Sequence, residues 1–142
     1  MTSTDPELVG RLRLVIARLH RQLAQASSGQ EFTFAQLSAL ARIEQHGPVR
    51  LGELAGLEQV AAPSMTRTVA ALVGAGTVAR LPDPEDGRSC LVELTADGHA
   101  LLARIRAQRS ELLTRRVDAL TGWELAVLGE ALPVLERLLA DE

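Results

Sequence analysis

The sequence contains no lysine and no tyrosine, a single cysteine, Cys90, and among its 142 residues only two phenylalanines, Phe32 and Phe34, and one tryptophan, Trp123. One cysteine excludes an intramolecular disulfide framework. The histidines, His20, His46 and His99, are scattered, with no second ligand at metal-binding spacing, so neither a metal nor a cofactor is expected. No apolar run approaches the roughly 20 residues that a membrane-crossing helix requires. The opening "MTSTDPELVG" lacks the basic, apolar and cleavage regions of a signal peptide, which leads to the expectation of a cytoplasmic protein. Nucleophile–base pairs, paired carboxylates and phosphate-cradling glycine loops are missing at recognisable spacing, which argues against an enzyme. An excess of positive charge is missing too. Fifteen basic residues face 18 acids for a formal charge of -3, whereas phosphate binding usually leaves a basic footprint. Every basic residue is arginine, the side chain suited to bidentate and minor-groove contacts, although all-arginine usage is itself read as GC-rich coding.

What is present is enough apolar residue, 46% of the chain, to build one core with a helical extension. Asp5-Pro6-Glu7 opens a first helix with a capping acid, a proline in the first turn and a further acid. Leu8, Leu12, Val15, Ile16, Leu19 and Leu23 continue it at helical spacing to about Gln25, and "SSGQE" ends it. Thr33 and Gln36 form a capping box, with Phe32 and Leu37 placed as a hydrophobic staple, and Gly47-Pro48 stop that second helix. Two short helical patterns follow, "RLGELAGLE" (50 to 58) and "AAPSMTRTVAALVGAG" (61 to 76), separated by a few residues as in a helix-turn-helix. In the second, Met65, Val69, Leu72 and Val73 face the core, while Ser64, Thr66, Arg67 and Thr68 fall largely on the other side.

"TVARL" (77 to 81) and "LPDPEDGRSCLVELT" (81 to 95) then read as a two-stranded flap, its tip polar and carrying Arg88 beside Gly87. Thr95 caps a long helix from Ala96 to about Leu120. Thr121 and Glu124 form another capping box, opening a last helix toward the C-terminus that Pro133 is expected to kink or interrupt. The expected fold is mainly α with a small β-hairpin: a winged helix-turn-helix with a helical dimerisation extension. Residues 1–32 are read as an N-terminal dimerisation helix, 33–95 as the winged region and 96–142 as C-terminal dimerisation helices. A winged helix-turn-helix lays its second short helix in the DNA major groove and lets the hairpin reach the neighbouring minor groove. An arginine at the tip, here Arg88, then meets the strongest negative potential.

Over nearly its whole length the chain resembles the MarR family of transcriptional regulators. The resemblance rests on "LGELAGLEQVAAPSMTRTVAALVGAGTVAR" and on "DPEDGRSCLVELTADGHALL", the latter similar to that family's wing motif of spaced Asp and Arg leading to Leu-Thr-x-x-Gly. It implies a homodimer joined through the first, fifth and sixth helices, binding a pseudo-palindromic operator on double-stranded DNA, usually as a repressor released by a small ligand. Carried over by position, it assigns Pro63, Ser64, Thr66 and Arg67 to the reading face, and Asp86, Gly87 and Arg88 to the wing tip. Two positions depart from the family's pattern. Ala61 and Arg50 stand where Ser or Thr commonly caps the two helices of the reading head. Ligand sites in the family lie between the dimer helices and the reading head, which suggests a hydrophobic or amphipathic effector here.

Several alternatives are set against these readings. Arg67 could be a solvated helix residue, and Arg88 could pair with Asp83 or Asp86. Arg104, Arg106, Arg109, Arg115 and Arg116 are read as the polar face of a long helix rather than a second nucleic-acid site. Cys90 is read as a small half-buried hydrophobe on the face of Val92 and Leu94, not as an oxidant sensor. From Arg42 to Arg88 there are five arginines against six acids, which motivates the rival reading of a winged-helix module that binds protein without binding DNA.

Overall fold

The computed structural model describes residues 3–27 and 32–139. In chain order the elements are α1 (Pro6–Ala26), α2 (Phe34–His46), β1 (Val49–Arg50), α3 (Leu51–Glu58), α4 (Ala62–Gly74), β2 (Val78–Pro82), β3 (Cys90–Leu94), α5 (Ala96–Asp118) and α6 (Gly122–Glu136). This is a winged helix-turn-helix flanked by long helices, as the sequence pattern predicts. The stretch expected to end α1 lies, from residue 28 to 31, outside the described residues. So do residues 140–142.

Local chemistry sets the helix starts. Asp5 accepts the Glu7 N–H at 3.0 Å, and reciprocal capping boxes close at Thr33–Gln36 and Thr121–Glu124. Leu40, Ile43, Leu54, Val69, Leu72 and Val92 are fully buried, so the core joins α2, α3, α4 and β3. Phe32 and Leu37 pack against it. The turn between α3 and α4 is made by Gln59, whose φ of 54° places it in the left-handed region as the C-cap of α3.

Three expectations are amended. The flap pairs β2 with β3 as expected, but Val49 and Arg50 add a third strand, antiparallel to Val92 and Leu91, giving a sheet in the order β1-β3-β2. A two-residue strand has no readable alternation, and it pairs with an edge of β3. Of the two outcomes expected of Pro133, a kink or an interruption, the interruption does not occur, since α6 runs through it to Glu136. The carbonyl left without its N–H partner belongs to Gly129, which is exposed and can turn to water. That helix ends at Glu136 rather than continuing to the C-terminus, with turns following to residue 139.

The junction of wing and α5 gives the Leu-Thr-x-x-Gly pattern a physical reason. Thr95 accepts the Gly98 N–H at 3.1 Å, donates its hydroxyl to the Gly76 carbonyl at 2.6 Å and bonds Thr77 through its backbone at 3.0 Å. This presses the first turn of α5 onto the start of β2. A Cβ on Gly98 would collide with the Thr77 carbonyl, so only glycine fits.

Candidate nucleic-acid interface

The recognition helix presents two faces. Met65, Val69 and Leu72 are buried, whereas Pro63, Thr66 and Arg67 are exposed and Ser64 and Thr68 half-buried, as the helical spacing predicts. Arg67 donates to the Ser64 hydroxyl at 3.3 Å, and the Thr66 hydroxyl donates back to the Ala62 carbonyl at 3.0 Å. Neither Ala61 nor Arg50 makes a side-chain cap. The first turn of α4 therefore lacks an N-cap side-chain acceptor, and a helix N-terminus in that state is suited to an anion.

At the wing tip Pro84, Glu85, Asp86, Gly87 and Arg88 are all exposed. The Asp86 carboxylate is turned onto its own loop, accepting the Arg88 N–H at 3.0 Å and the Ser89 hydroxyl at 3.2 Å. It shapes the turn that carries Arg88. Asp83, at the base of the same loop, is buried. One of its oxygens accepts the Glu85 N–H at 2.9 Å and the other is 2.6 Å from Nε of Arg50. The guanidinium beside it holds its carboxyl below the usual aspartate range, helped by the Glu85 N–H. The tip arginine takes no part in this, and among the described residues neither Asp83 nor Asp86 forms an ion pair with Arg88.

The near balance of charge in the reading head conceals how its acids are placed. Glu58 is held by Ser38 and Arg42, and Glu44 by both terminal nitrogens of Arg106 at 2.7 and 3.2 Å. Hydrogen bonding to Arg106 keeps the Glu44 carboxyl below its ordinary range, with His99 a lesser contributor. Glu53, Asp83 and Glu85 share Arg50, at 3.9, 2.6 and 3.1 Å. Five of the six acids are thus engaged with arginines, and Asp86 is spent on its turn. Arg67, Arg80 and Arg88 are exposed and form no ion pair among the described residues. Sequence reasoning missed the role of Arg50. It registered as a missing cap, and its partner lies 33 residues away.

The arginines of α5 are largely structural. Arg106 ties α5 to α2 through Glu44, while Arg109 and Arg116 donate to Ser27 and Gln22 at the α1 side, at 2.9 and 3.0 Å. Arg115 pairs with Glu111 one turn earlier. Cys90 is half-buried on the wing strand as expected, and among the described residues no group of acids, histidines and cysteine could hold a metal ion. No helix is long and apolar enough to cross a membrane, again among the described residues. A cavity of about 340 Å³ opens where α1, α2 and α5 meet, with apolar walls from Phe34, Leu37, Leu102 and Ile105, and with His20 and Arg109 among its polar lining. Phe34 lines it with His20 standing edge-on, the ring centroids 5.4 Å apart.

A sequence model described as "MarR family" matches residues 32–90. The chain is 36% identical over 141 residues to the HTH-type transcriptional regulator MT0903.1 of Mycobacterium tuberculosis, covering 99% of each. Its fold is similar to that of a Pseudomonas aeruginosa PA01 protein solved as a candidate transcriptional regulator, with a TM-score of 0.88 and 30% identity over 100% of both chains. Wild-type MarR from E. coli, in its apo form, gives a TM-score of 0.78 at 30% identity, over 98% of this chain and 100% of that one.

Proposed function

The chain belongs to the MarR family of transcriptional regulators, and we propose that it acts as a homodimer that lays α4 in the major groove and the β2–β3 wing in the adjacent minor groove of a pseudo-palindromic operator. The observation that carries this reading is the segregation of charge. Five of the six acids of the reading head pair with Arg42, Arg50 and Arg106, while Arg67 and Arg88 stand exposed without ion pairs among the described residues. Pro63, Ser64, Thr66 and Arg67 form the reading face on this account, and the open first turn of α4 receives a phosphate. Arg88 enters the minor groove, with Asp86 and Gly87 shaping its approach.

The dimer reading rests on surface area. The chain exposes 10278 Å², whereas a self-contained globule of its 15.2 kDa exposes roughly 7,100 Å². The excess, about 3,000 Å², is on the scale that obligate interfaces bury. Much of it is apolar and lies on α1 (Leu8, Val9, Val15, Ile16) and α6 (Trp123, Leu125, Leu132, Val134), helices without one buried residue. Residues 1–32 and 96–142 serve as the dimerisation parts in this proposal, and 33–95 as the DNA-binding part. A dimer so seated covers promoter DNA and represses. An amphipathic effector in the cavity between α1, α2 and α5 would alter how the reading heads are held and release it.

The test is selection of duplexes from a random-sequence pool by the full-length protein, followed by binding titrations at several salt concentrations. An inverted repeat with half-sites about one helical turn, roughly 34 to 36 Å, apart is the expected product, with affinity falling steeply with salt. Recovery of no duplex at low salt would sink the DNA reading and favour a winged-helix protein-binding module.

A further inference from the structure

Arg50 and Asp83 come from opposite edges of the small sheet. Arg50 lies in β1 opposite Leu91 of β3, and Leu91 is also opposite Leu81 of β2, so the three side chains share one face of the sheet. Asp83 follows β2 by one residue and is the first residue of the wing loop. To reach it the Arg50 side chain crosses β3, a span of about two interstrand spacings. Its Nε sits 2.6 Å from a carboxylate whose side chain is only 3% exposed. The other Asp83 oxygen holds the Glu85 N–H at 2.9 Å, so one buried carboxylate joins the fixed stem to the exposed tip. The remaining partners of Arg50, Glu53 and Glu85, have side chains 61% and 82% exposed, where water screens them.

We propose that Arg50 is a positioning residue for DNA binding, which through Asp83 clamps the root of the wing and fixes where Arg88 stands before any DNA arrives. The inference rests on the DNA-binding reading above. Arg50 itself touches no DNA on this account. Without the clamp the wing loop, residues 83–89, must be ordered at the moment of binding, and ordering one residue's backbone costs about 1 to 2 kcal/mol, a factor of roughly 5 to 30 in affinity. The clamp also explains why an arginine stands where a Ser or Thr cap would serve α3 alone. The cap is given up, and the sheet gains a cross-brace.

The experiment uses a duplex selected from a random pool by the wild-type protein. Asp83→Asn keeps the shape and the acceptor for Glu85 but loses the charge, and it should weaken binding about tenfold with the salt slope unchanged, since no phosphate contact is removed. Glu53→Gln removes a charge from the same arginine without touching the wing, and should cause no loss. In an Arg88→Ala background the loss from Asp83→Asn should largely vanish, because the clamp acts through Arg88. Arg50→Lys should retain more binding than Arg50→Gln. In the free protein, amide hydrogen exchange across residues 84–89 should quicken in Asp83→Asn while the core amides stay protected. The proposal is overturned by an Asp83→Asn protein that binds as tightly as wild type, by an equal loss in the Arg88→Ala background, or by unchanged wing exchange. A wild-type protein that selects no duplex overturns the DNA reading itself, a different result from wild-type binding that Asp83→Asn leaves intact.

Discussion

Arg67 and Arg88 are both exposed arginines, and on the proposed reading they stand on elements that meet DNA in different ways. If Arg67 reads a base edge from α4, Arg67→Ala should cost about 1 to 3 kcal/mol on the selected operator and relax preference at one position of each half-site. Arg88→Ala should instead weaken binding to all sequences and lower the salt slope by roughly one unit per site. Titrations on operator and random duplexes separate the two, and an equal loss on both for Arg67→Ala would demote it to a phosphate contact. The acids that these arginines do not engage bear on stability. Glu44 is held below its ordinary range chiefly by its hydrogen bond to Arg106, and Asp83 by its bond to Arg50. A depressed carboxyl stabilises the fold above its unfolded value, about 4, and loses that contribution as pH falls through the lower folded value. Thermal melting should therefore be flat from pH 7 to about 5 and drop below about 4. Arg106→Gln should make the acid limb shallower. An unaltered limb in that variant would show that the Glu44–Arg106 pair contributes nothing to it.

At the scale of elements, the joint between wing and α5 is the least forgiving. Gly98 is buried where the helix presses on Thr77, and an alanine there must push the Thr77 carbonyl or shift α5. Overpacking of this kind destabilises by about 1 to 3 kcal/mol, so Gly98→Ala should lower the melting temperature by several degrees. Gly74→Ala, at an open position at the end of α4, is the control and should be neutral or slightly stabilising. A Gly98→Ala protein that melts with wild type would remove the close approach as the reason for the glycine. The helix starts show the converse case. Thr33, Thr95 and Thr121 each accept an N–H from the first turn, whereas α3 and α4 begin without a side-chain cap. The well-capped helices frame the molecule. The open ends belong to the helix-turn-helix, and on the proposed reading a phosphate meets the one at the start of α4.

For the whole molecule, the dominant fact is exposed apolar surface on α1 and α6. Trp123 in α6 and Leu138 just beyond it are 76% and 61% exposed, and no residue of α1 or α6 is buried. Removing residues 121–142 should abolish the dimer while leaving the core of α2, α3, α4 and β3 folded, as read by sedimentation and by far-ultraviolet circular dichroism. Trp123, the sole tryptophan, supplies an independent signal: its emission should shift to the red when the full chain is diluted through the dimer dissociation range. A truncated chain that still sediments as a dimer would move the interface elsewhere.

Much of this molecule is written in short-range pattern. The capping boxes at Thr33 and Thr121, the proline of the first turn of α1 and the alternation of Cys90, Val92 and Leu94 each act within a few residues, so the helices and the wing hairpin are legible in the chain alone. So is the outward set Pro63, Thr66 and Arg67, because 3.6-residue spacing separates it from Met65, Val69 and Leu72. What pattern could not carry is pairing at a distance. The strand at Val49–Arg50 pairs with an edge of β3, Arg50 meets the buried Asp83 across the sheet, and five acids find Arg42, Arg50 and Arg106 only on folding. Summed charge, the one electrostatic quantity a sequence offers directly, hid the exposed arginines, since it counts charges without their partners, and the partners are assigned when the chain closes on itself.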